Sequence, residues 1–183
     1  MLCDPCLLHL EQQLDPKTHQ VLNAYQSAQA ETIENIAAHT GLSRYHVREA
    51  TMTLRGTGLI WGDHYYTLSP NGRRLAGLLA RANRPAAAAT LCDPCLLEIA
   101  DLLPGPAYNL LAQLTRHYRT TQQLTAALST SSYKLREHGA LLEGAQLIRI
   151  ERGRNYSLTA TGRRLGLLLQ TAEPGPEIAW APT

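Results

Sequence analysis

The sequence contains no phenylalanine, only two lysines among its 17 basic residues, and no apolar run long enough to cross a membrane. With 44% hydrophobic and 17% charged residues, the chain is able to bury a core, which leucine, alanine and eight tyrosines must largely build. The net charge of +2 is too small to indicate a nucleic-acid partner by itself. Any basic surface must therefore be local.

Motifs of common catalytic sites are also missing. The sequence has no phosphate-binding glycine loop, no nucleophile elbow, no His-Glu-x-x-His motif and no paired carboxylates, and its seven histidines follow no ligand spacing. We therefore expect a protein that is not an enzyme. The N-terminus has neither a basic flank nor a long apolar run, so we expect no signal peptide, no membrane association and a cytoplasmic location.

An internal duplication organises the chain. Three segments recur in the same order at an offset of 88 to 90 residues, namely 2–8 and 91–97, 45–49 and 133–137, and 66–75 and 156–165. The first of these pairs is identical at all seven positions. Chance does not produce three ordered matches. The predicted organisation is a first copy at 1–82, a linker at 83–90, a second copy at 91–172 and an irregular tail at 173–183.

Each copy is predicted to contain several helices and one β-hairpin. In the first copy Asp4 precedes a proline and is expected to cap the first helix, Gly41 supplies the turn after the third helix, and Ser43 caps the fourth. Two β-rich runs at 59–61 and 65–68 indicate a hairpin, and a last helix follows. This order predicts a mainly α fold with small β-hairpin wings, formed by two tandem winged helix-turn-helix domains arranged as a pseudo-dimer.

Residues 31–79 resemble the winged-helix cores of MarR- or PadR-type transcriptional regulators. The resemblance rests on Gly-Leu-Ser at 41–43, Gly-Leu-Ile at 58–60 and the Tyr-x-Leu…Gly-Arg-x-Leu pattern at 66–75. The second copy matches at 144–148 and 156–165, but Ser-Thr-Ser replaces Gly-Leu-Ser at its turn. The resemblance implies that two recognition helices occupy successive major grooves, about one helical turn of DNA apart.

The helix that follows the turn carries the predicted DNA contacts. Arg44 and Arg48 lie four residues apart and can reach guanine edges or phosphates. The wing tip of the second copy is basic, which suits the phosphate backbone or the minor groove. The residues predicted to contact duplex DNA are Ser43, Arg44, Tyr45, His46, Arg48, Ser132, Tyr133, Lys134, Arg136, Arg152 and Arg154.

These features favour sequence-specific binding of double-stranded DNA by a transcriptional regulator. Two alternatives remain open. Winged helices also serve as protein-interaction modules, so the tandem copies can instead scaffold a larger assembly. A DNA replication or damage-response factor would share the fold without controlling a promoter. The apolar helices that end each copy also offer an interface for a homodimer.

The four cysteines form two Cys-x-x-Cys pairs, Cys3 with Cys6 and Cys92 with Cys95. Four thiolates match a tetrahedral zinc site, and one ion bound by all four would join the two copies. Thiol–disulfide chemistry and an iron–sulfur cluster are alternative uses of the same residues. Packing of inert cysteines near the helix starts is the further alternative.

Overall fold

A computed structural model describes residues 1–27, 31–116, 120–151 and 155–171. The described chain is mainly helical and carries two small antiparallel hairpins, as the sequence predicted at this coarse level. The elements of the first half are α1 (Asp4–Gln12), α2 (Pro16–Ser27), α3 (Ile33–Thr40), α4 (Arg44–Gly56), β1 (Ile60–Trp61), β2 (Thr67–Leu68) and α5 (Pro70–Leu79).

The second half repeats this order of four helices, a hairpin and a helix. Its elements are α6 (Asp93–Leu102), α7 (Gly105–Thr115), α8 (Thr121–Ala127), α9 (Ser132–Gly144), β3 (Ile148–Glu151), β4 (Asn155–Leu158) and α10 (Ala160–Thr171). The hairpin of the second half is longer, pairing Ile148 with Leu158 and Glu151 with Asn155, whereas the first pairs only two residues on each strand.

Equivalent side chains start equivalent helices in the two halves. The hydroxyl of Ser43 accepts a hydrogen bond from the amide of His46 at the start of α4, and Ser131 accepts one from Lys134 at the start of α9. Each bond satisfies an amide that has no partner within its helix. The predicted cap at Ser43 is therefore confirmed.

The first helix starts differently from the prediction. Cys3, not Asp4, is the N-cap of α1, and no side chain caps that helix. The Asp4 carboxylate instead pairs with Arg74 of α5, at 2.7 Å between Oδ1 and Nη2. The helix start is thus held by a tertiary ion pair, which local sequence rules do not reveal.

One hydrophobic core runs through both halves. The helices α4 and α9 pack directly on each other, because glycine allows their backbones to approach closely. A Cβ atom at Gly56 would lie 2.0 Å from the carbonyl oxygen of Leu141, and one at Gly144 would lie 2.4 Å from the Cα atom of Thr53. In the duplication Gly56 corresponds to Gly144 and Thr53 corresponds to Leu141. The second contact therefore repeats the first with the halves exchanged.

Residues 83–90 connect the halves without forming a helix or strand. This connection runs beside α1, where the Ala88 amide donates to the carbonyl of Pro5 and the Ala88 carbonyl lies 2.9 Å from Nδ1 of His9. Residues 172–183, which include the predicted tail, lie outside the described residues. Within the described ranges, no helix combines the length and apolarity needed to cross a membrane.

Candidate metal centre and candidate DNA-contact residues

The four cysteine sulfur atoms meet between the two halves. All of them lie within 4.8 Å of one another, and none of the four cysteines forms a disulfide. Cys3 and Cys92 are the N-caps of α1 and α6, while Cys6 and Cys95 lie one turn further along and are buried. The sequence predicted these four residues as one set, and the fold brings them together.

Arginines from the last helix of each half hold the cysteine segments in place. Arg74 donates to the carbonyl of Leu2 and pairs with Asp4, and Arg164 donates to the carbonyl of Leu91 and pairs with Asp93. Local sequence rules do not identify a partner for either arginine. Their recurrence within the duplicated Gly-Arg-Arg-Leu segment was the available signal.

Two pairs of sulfur atoms lie close together across the halves. The Sγ atoms of Cys6 and Cys92 are 3.7 Å apart, and those of Cys3 and Cys95 are also 3.7 Å apart. Four sulfurs around a zinc ion at a Zn–S distance of about 2.3 Å form a tetrahedron with edges of about 3.8 Å. Two of the separations therefore match the edge of such a tetrahedron, and the others do not exceed 4.8 Å.

Backbone amides also point at the sulfurs across the halves. The amide of Cys3 donates to Sγ of Cys95 at 3.2 Å, and the amide of Cys92 donates to Sγ of Cys6 at 3.4 Å. Hydrogen bonds of this kind favour the charged form of the acceptor, here a thiolate. Both bonds cross between the halves, so each half supports the ligands of the other.

Burial opposes the charged state of the inner cysteines. It raises the pKa of Cys6 to about 11 and raises the pKa of Cys95 as well. At Cys92 the amide of Cys95 donates to the sulfur, and this hydrogen bond lowers the pKa of the thiol. Without a cation the two buried thiols are thus neutral at neutral pH, and a bound metal ion would supply the charge that stabilises their thiolates.

Four soft sulfur donors within 4.8 Å of one another select zinc or iron–sulfur chemistry rather than magnesium or calcium. A single ion suits the observed spacing better than a cluster. In an iron–sulfur cluster several metal atoms stand between the cysteine sulfurs, which separates those sulfurs further than one ion does.

The predicted DNA-contact residues of the first half lie at the exposed start of α4. Tyr45 is 66% exposed, and Arg44 and Arg48 are also exposed. Ser43 and His46 bond to each other through Oγ and Nδ1 at 3.1 Å, and Nε2 of His46 lies 3.1 Å from Nζ of Lys17 on α2. The imidazole of His46 therefore contacts both the Ser43 cap and Lys17 of α2.

Arg48 is bonded across the halves. Its guanidinium donates to the hydroxyl of Tyr133 at 2.5 Å and to Oε1 of Glu137 at 3.2 Å, and it lies 5.6 Å from the centre of the Tyr133 ring. The sequence treated Arg48 and Tyr133 as residues of two separate DNA-reading surfaces. The fold instead joins them in one contact, and Glu137 orients an arginine of the opposite half.

Other predicted contacts remain exposed. Ser132, Lys134 and Arg136 lie on the surface of α9, and among the described residues no ion pair involves Arg44, Lys134 or Arg136. Arg152 and Arg154, the predicted basic wing tip, lie outside the described residues.

The arrangement of α4 and α9 differs from that of two separate half-sites. The N-terminal part of α4 contacts the N-terminal part of α9 through Arg48 and Glu137. The C-terminal parts of the two helices contact each other through Gly56 and Leu141. The helices thus run side by side in the same direction. Packed helices have axes roughly 8–10 Å apart, whereas half-sites one turn apart need about 34 Å. Helices in contact cannot occupy successive major grooves in this conformation.

Comparison of the chain with protein-family models, with curated protein sequences and with solved structures finds no match.

Proposed function

We propose that Cys3, Cys6, Cys92 and Cys95 bind one structural zinc ion that joins the two halves of a tandem winged helix-turn-helix protein. The observation that carries this proposal is the spacing of the sulfurs, with two cross-half separations of 3.7 Å and none above 4.8 Å. Zinc has no redox chemistry of its own and accepts four thiolates in a tetrahedron, which suits a closed structural site.

The four sulfur ligands are divided equally between the two halves, and this division determines the structural role that the ion would have. Each half contributes two sulfurs, so neither half has a complete site, and binding energy is gained only when the halves are together. The metal would therefore stabilise the pairing of the halves as well as the starts of α1 and α6. The winged-helix assignment is supported by the repeated order of four helices, hairpin and helix.

Metal analysis of protein purified under reducing conditions tests the zinc proposal. We expect one zinc per chain, and loss of that zinc in Cys6→Ser and in Cys92→Ser, which remove one ligand from each half. His9→Gln is the matched control, because His9 lies one turn beyond Cys6 and bonds to Ala88 rather than to a sulfur. Absence of stoichiometric zinc in the unaltered protein would reject the proposal, and stoichiometric iron with sulfide would replace it by a cluster.

A second function, binding of duplex DNA, is favoured by the surface at the starts of α4 and α9. This surface carries the exposed cations Arg44, Lys134 and Arg136 together with the exposed rings of Tyr45 and Tyr133. Both helices point their N-terminal ends, with their partial positive charge, in the same direction. Because the helices are in contact, the surface would meet one continuous stretch of DNA rather than two separated half-sites.

Fluorescence anisotropy of a mixed-sequence duplex at low and moderate salt tests this second function. We expect binding that weakens steeply with salt, since each phosphate contact releases counterions. The triple variant Arg44→Gln, Lys134→Gln and Arg136→Gln should bind more weakly and with a shallower salt slope. A control with the same loss of charge changes Arg81, Arg84 and Arg116, which are exposed elsewhere.

The outcomes separate the classes of function. No binding at low salt would reject the DNA proposal and leave the protein-interaction scaffold. If binding occurs, selection of sites from random duplex DNA distinguishes a transcriptional regulator, which recovers a preferred sequence, from a replication or damage-response factor, which recovers none.

A further inference from the structure

The outer cysteine of each half lies at the edge of its helix. Cys3 and Cys92 are the N-caps of α1 and α6, and their backbones are extended, with ψ of 157° and 159°. Cys6 and Cys95 instead lie in the first turn, where the helix itself sets their position. The hydrogen bonds of a helix hold the carbonyl group of its N-cap but not the chain before it. The placement of the outer sulfurs therefore depends on what holds the neighbouring residues.

In the first half one arginine holds the chain on both sides of the outer cysteine. Nη1 of Arg74 donates to the carbonyl of Leu2 at 3.0 Å, and Nη2 lies 2.7 Å from Oδ1 of Asp4. Leu2 directly precedes Cys3 in the sequence, and Asp4 directly follows it. Because the guanidinium group is planar and rigid, the two contacts together fix the segment that carries the sulfur.

The second half repeats this arrangement around Cys92. Nη1 of Arg164 donates to the carbonyl of Leu91 at 2.8 Å, and Nη2 pairs with Oδ1 of Asp93. The side chain of Arg164 is 42% exposed and that of Arg74 is 40% exposed, so solvent screens both ion pairs and their contribution to global stability is small. The main effect of the two arginines is therefore expected on the geometry of the cysteine segments.

The preceding arginine of each half has a different partner. Nη1 of Arg73 donates to the carbonyl of Leu68 at 2.6 Å, and Nη1 of Arg163 donates to the carbonyl of Leu158 at 2.8 Å. These carbonyls end the strands β2 and β4. In the duplicated Gly-Arg-Arg-Leu segment, the first arginine thus joins the last helix to its hairpin and the second joins it to a cysteine segment.

The two cysteine segments differ in their further support. In the first half the amide of Leu2 donates to Oδ1 of the buried Asn71 at 3.2 Å. Thr161 stands at the position of Asn71 in the second half, and within the described ranges no hydrogen bond joins it to Leu91. Arg164 is therefore the main link between α10 and its cysteine segment, whereas in the first half two side chains of α5 share this role.

We propose that Arg74 and Arg164 are positioning residues of the metal centre, which place Cys3 and Cys92 for the ion and so determine how tightly it is held. This inference rests on the proposed zinc site and adds to it two residues that are not ligands. Residues that orient metal ligands without touching the ion commonly change the affinity by about 10–100-fold. Arg164 has the larger effect, because the second half lacks the bond that Asn71 makes.

Competition with a chromophoric chelator, on the full chain under reducing conditions, measures the zinc affinity of each variant. Arg164→Met removes every side-chain donor and keeps an unbranched stem, and it should weaken zinc binding about tenfold or more. Arg74→Met should weaken it less. Arg163→Met and Arg73→Met are the matched controls, since each removes the same charge and donors from the adjacent position and should leave the affinity unchanged.

The absorption spectrum of the cobalt(II)-loaded chain is the second readout. Its charge-transfer and d–d bands depend on the number and geometry of the sulfur ligands, so a general loss of stability does not move them in folded, loaded protein. We expect altered bands in Arg164→Met and unaltered bands in Arg163→Met. Arg164→Lys keeps the charge and a donor group and should recover part of the lost affinity.

The outcomes separate this inference from the zinc proposal. Equal affinities and identical cobalt spectra in Arg164→Met and Arg163→Met would overturn the positioning role and leave the zinc site in place. Failure of the unaltered chain to bind zinc or cobalt would overturn both. If Arg164→Met does not fold, the comparison of Arg74→Met with Arg73→Met decides in the same way.

Discussion

Gly56 lies so close to the backbone of Leu141 that a methyl group on its Cα atom would stand 2.0 Å from the Leu141 carbonyl oxygen. At the duplicated residue, Gly144, a methyl group would stand 2.4 Å from the Cα atom of Thr53. The two halves therefore meet backbone to backbone at both glycines. Side chains larger than hydrogen cannot be accommodated without moving α4 away from α9.

We expect Gly56→Ala and Gly144→Ala each to destabilise the protein by about 1–3 kcal/mol, the usual range for overpacking a tight contact. Gly77→Ala is the control, because Gly77 lies within α5 and a Cβ atom there would meet nothing within 4 Å. That change should stabilise the protein by about 0.5–1 kcal/mol, since alanine is the better helix former. Chemical denaturation measures all three variants. Wild-type stability of Gly56→Ala would contradict the contact between the helices.

Removal of metal should expose cross-half thiol pairs. We expect a chelator to lower the melting temperature, because the ion binds only the folded pairing of the halves. Hydrogen peroxide should then link Cys3 to Cys95 and Cys6 to Cys92, since these sulfurs are 3.7 Å apart. In each step two thiols lose two protons and two electrons, and the peroxide is reduced to water. Peptide mapping by mass spectrometry identifies the links, and a predominance of links within each Cys-x-x-Cys motif would contradict this geometry.

Two residues of the second half adopt a left-handed backbone where the first half has glycine. Ser129 (φ 48°) corresponds to Gly41 (φ 70°), and Gln146 (φ 59°) corresponds to Gly58 (φ 70°). Ser129→Gly and Gln146→Gly should each stabilise the protein by up to about 1 kcal/mol, because glycine avoids the steric cost of this conformation. The reciprocal change Gly41→Ser should destabilise by a similar amount, since a Cβ atom at Gly41 meets nothing within 4 Å and only the backbone effect remains. Thermal unfolding of the three variants checks the signs.

The ion pair between Arg48 and Glu137 should contribute little to stability. The two side chains are 46% and 34% exposed, so solvent screens the pair and we expect Arg48→Gln to cost no more than about 1 kcal/mol. A double-mutant cycle with Glu137→Gln isolates the interaction, and its value should fall as salt is added. Arg136→Gln is the matched control without an ion pair among the described residues. A coupling well above 1 kcal/mol would mean that the pair is far less solvated than these exposures imply.

Much of the local structure follows from neighbouring residues and was predictable. The hairpin of the first half forms within the predicted β-rich runs, and the turn before α4 places Gly41 in the left-handed region, as the sequence indicated. At the start of α2, which begins at Pro16, the Asp15 carboxylate accepts hydrogen bonds from the amides of Lys17 and Thr18. Because caps and turns depend on a few adjacent residues, they can be predicted from short segments of the sequence.

The sequence by itself determined the duplication, the order of the elements and the set of four cysteines, because repeats, caps and ligand spacing are properties of order along the chain. Only the tertiary structure decided that α4 and α9 pack on each other, that Arg48 bonds to Tyr133 of the opposite half, and that the four sulfurs meet between the halves. These features depend on which surfaces of two similar units meet. Two units with nearly the same sequence pattern can pack against each other in many ways. The packing observed depends on close backbone contact at glycines and on which side chains reach across the contact, and neither can be predicted from the positions of these residues along the chain.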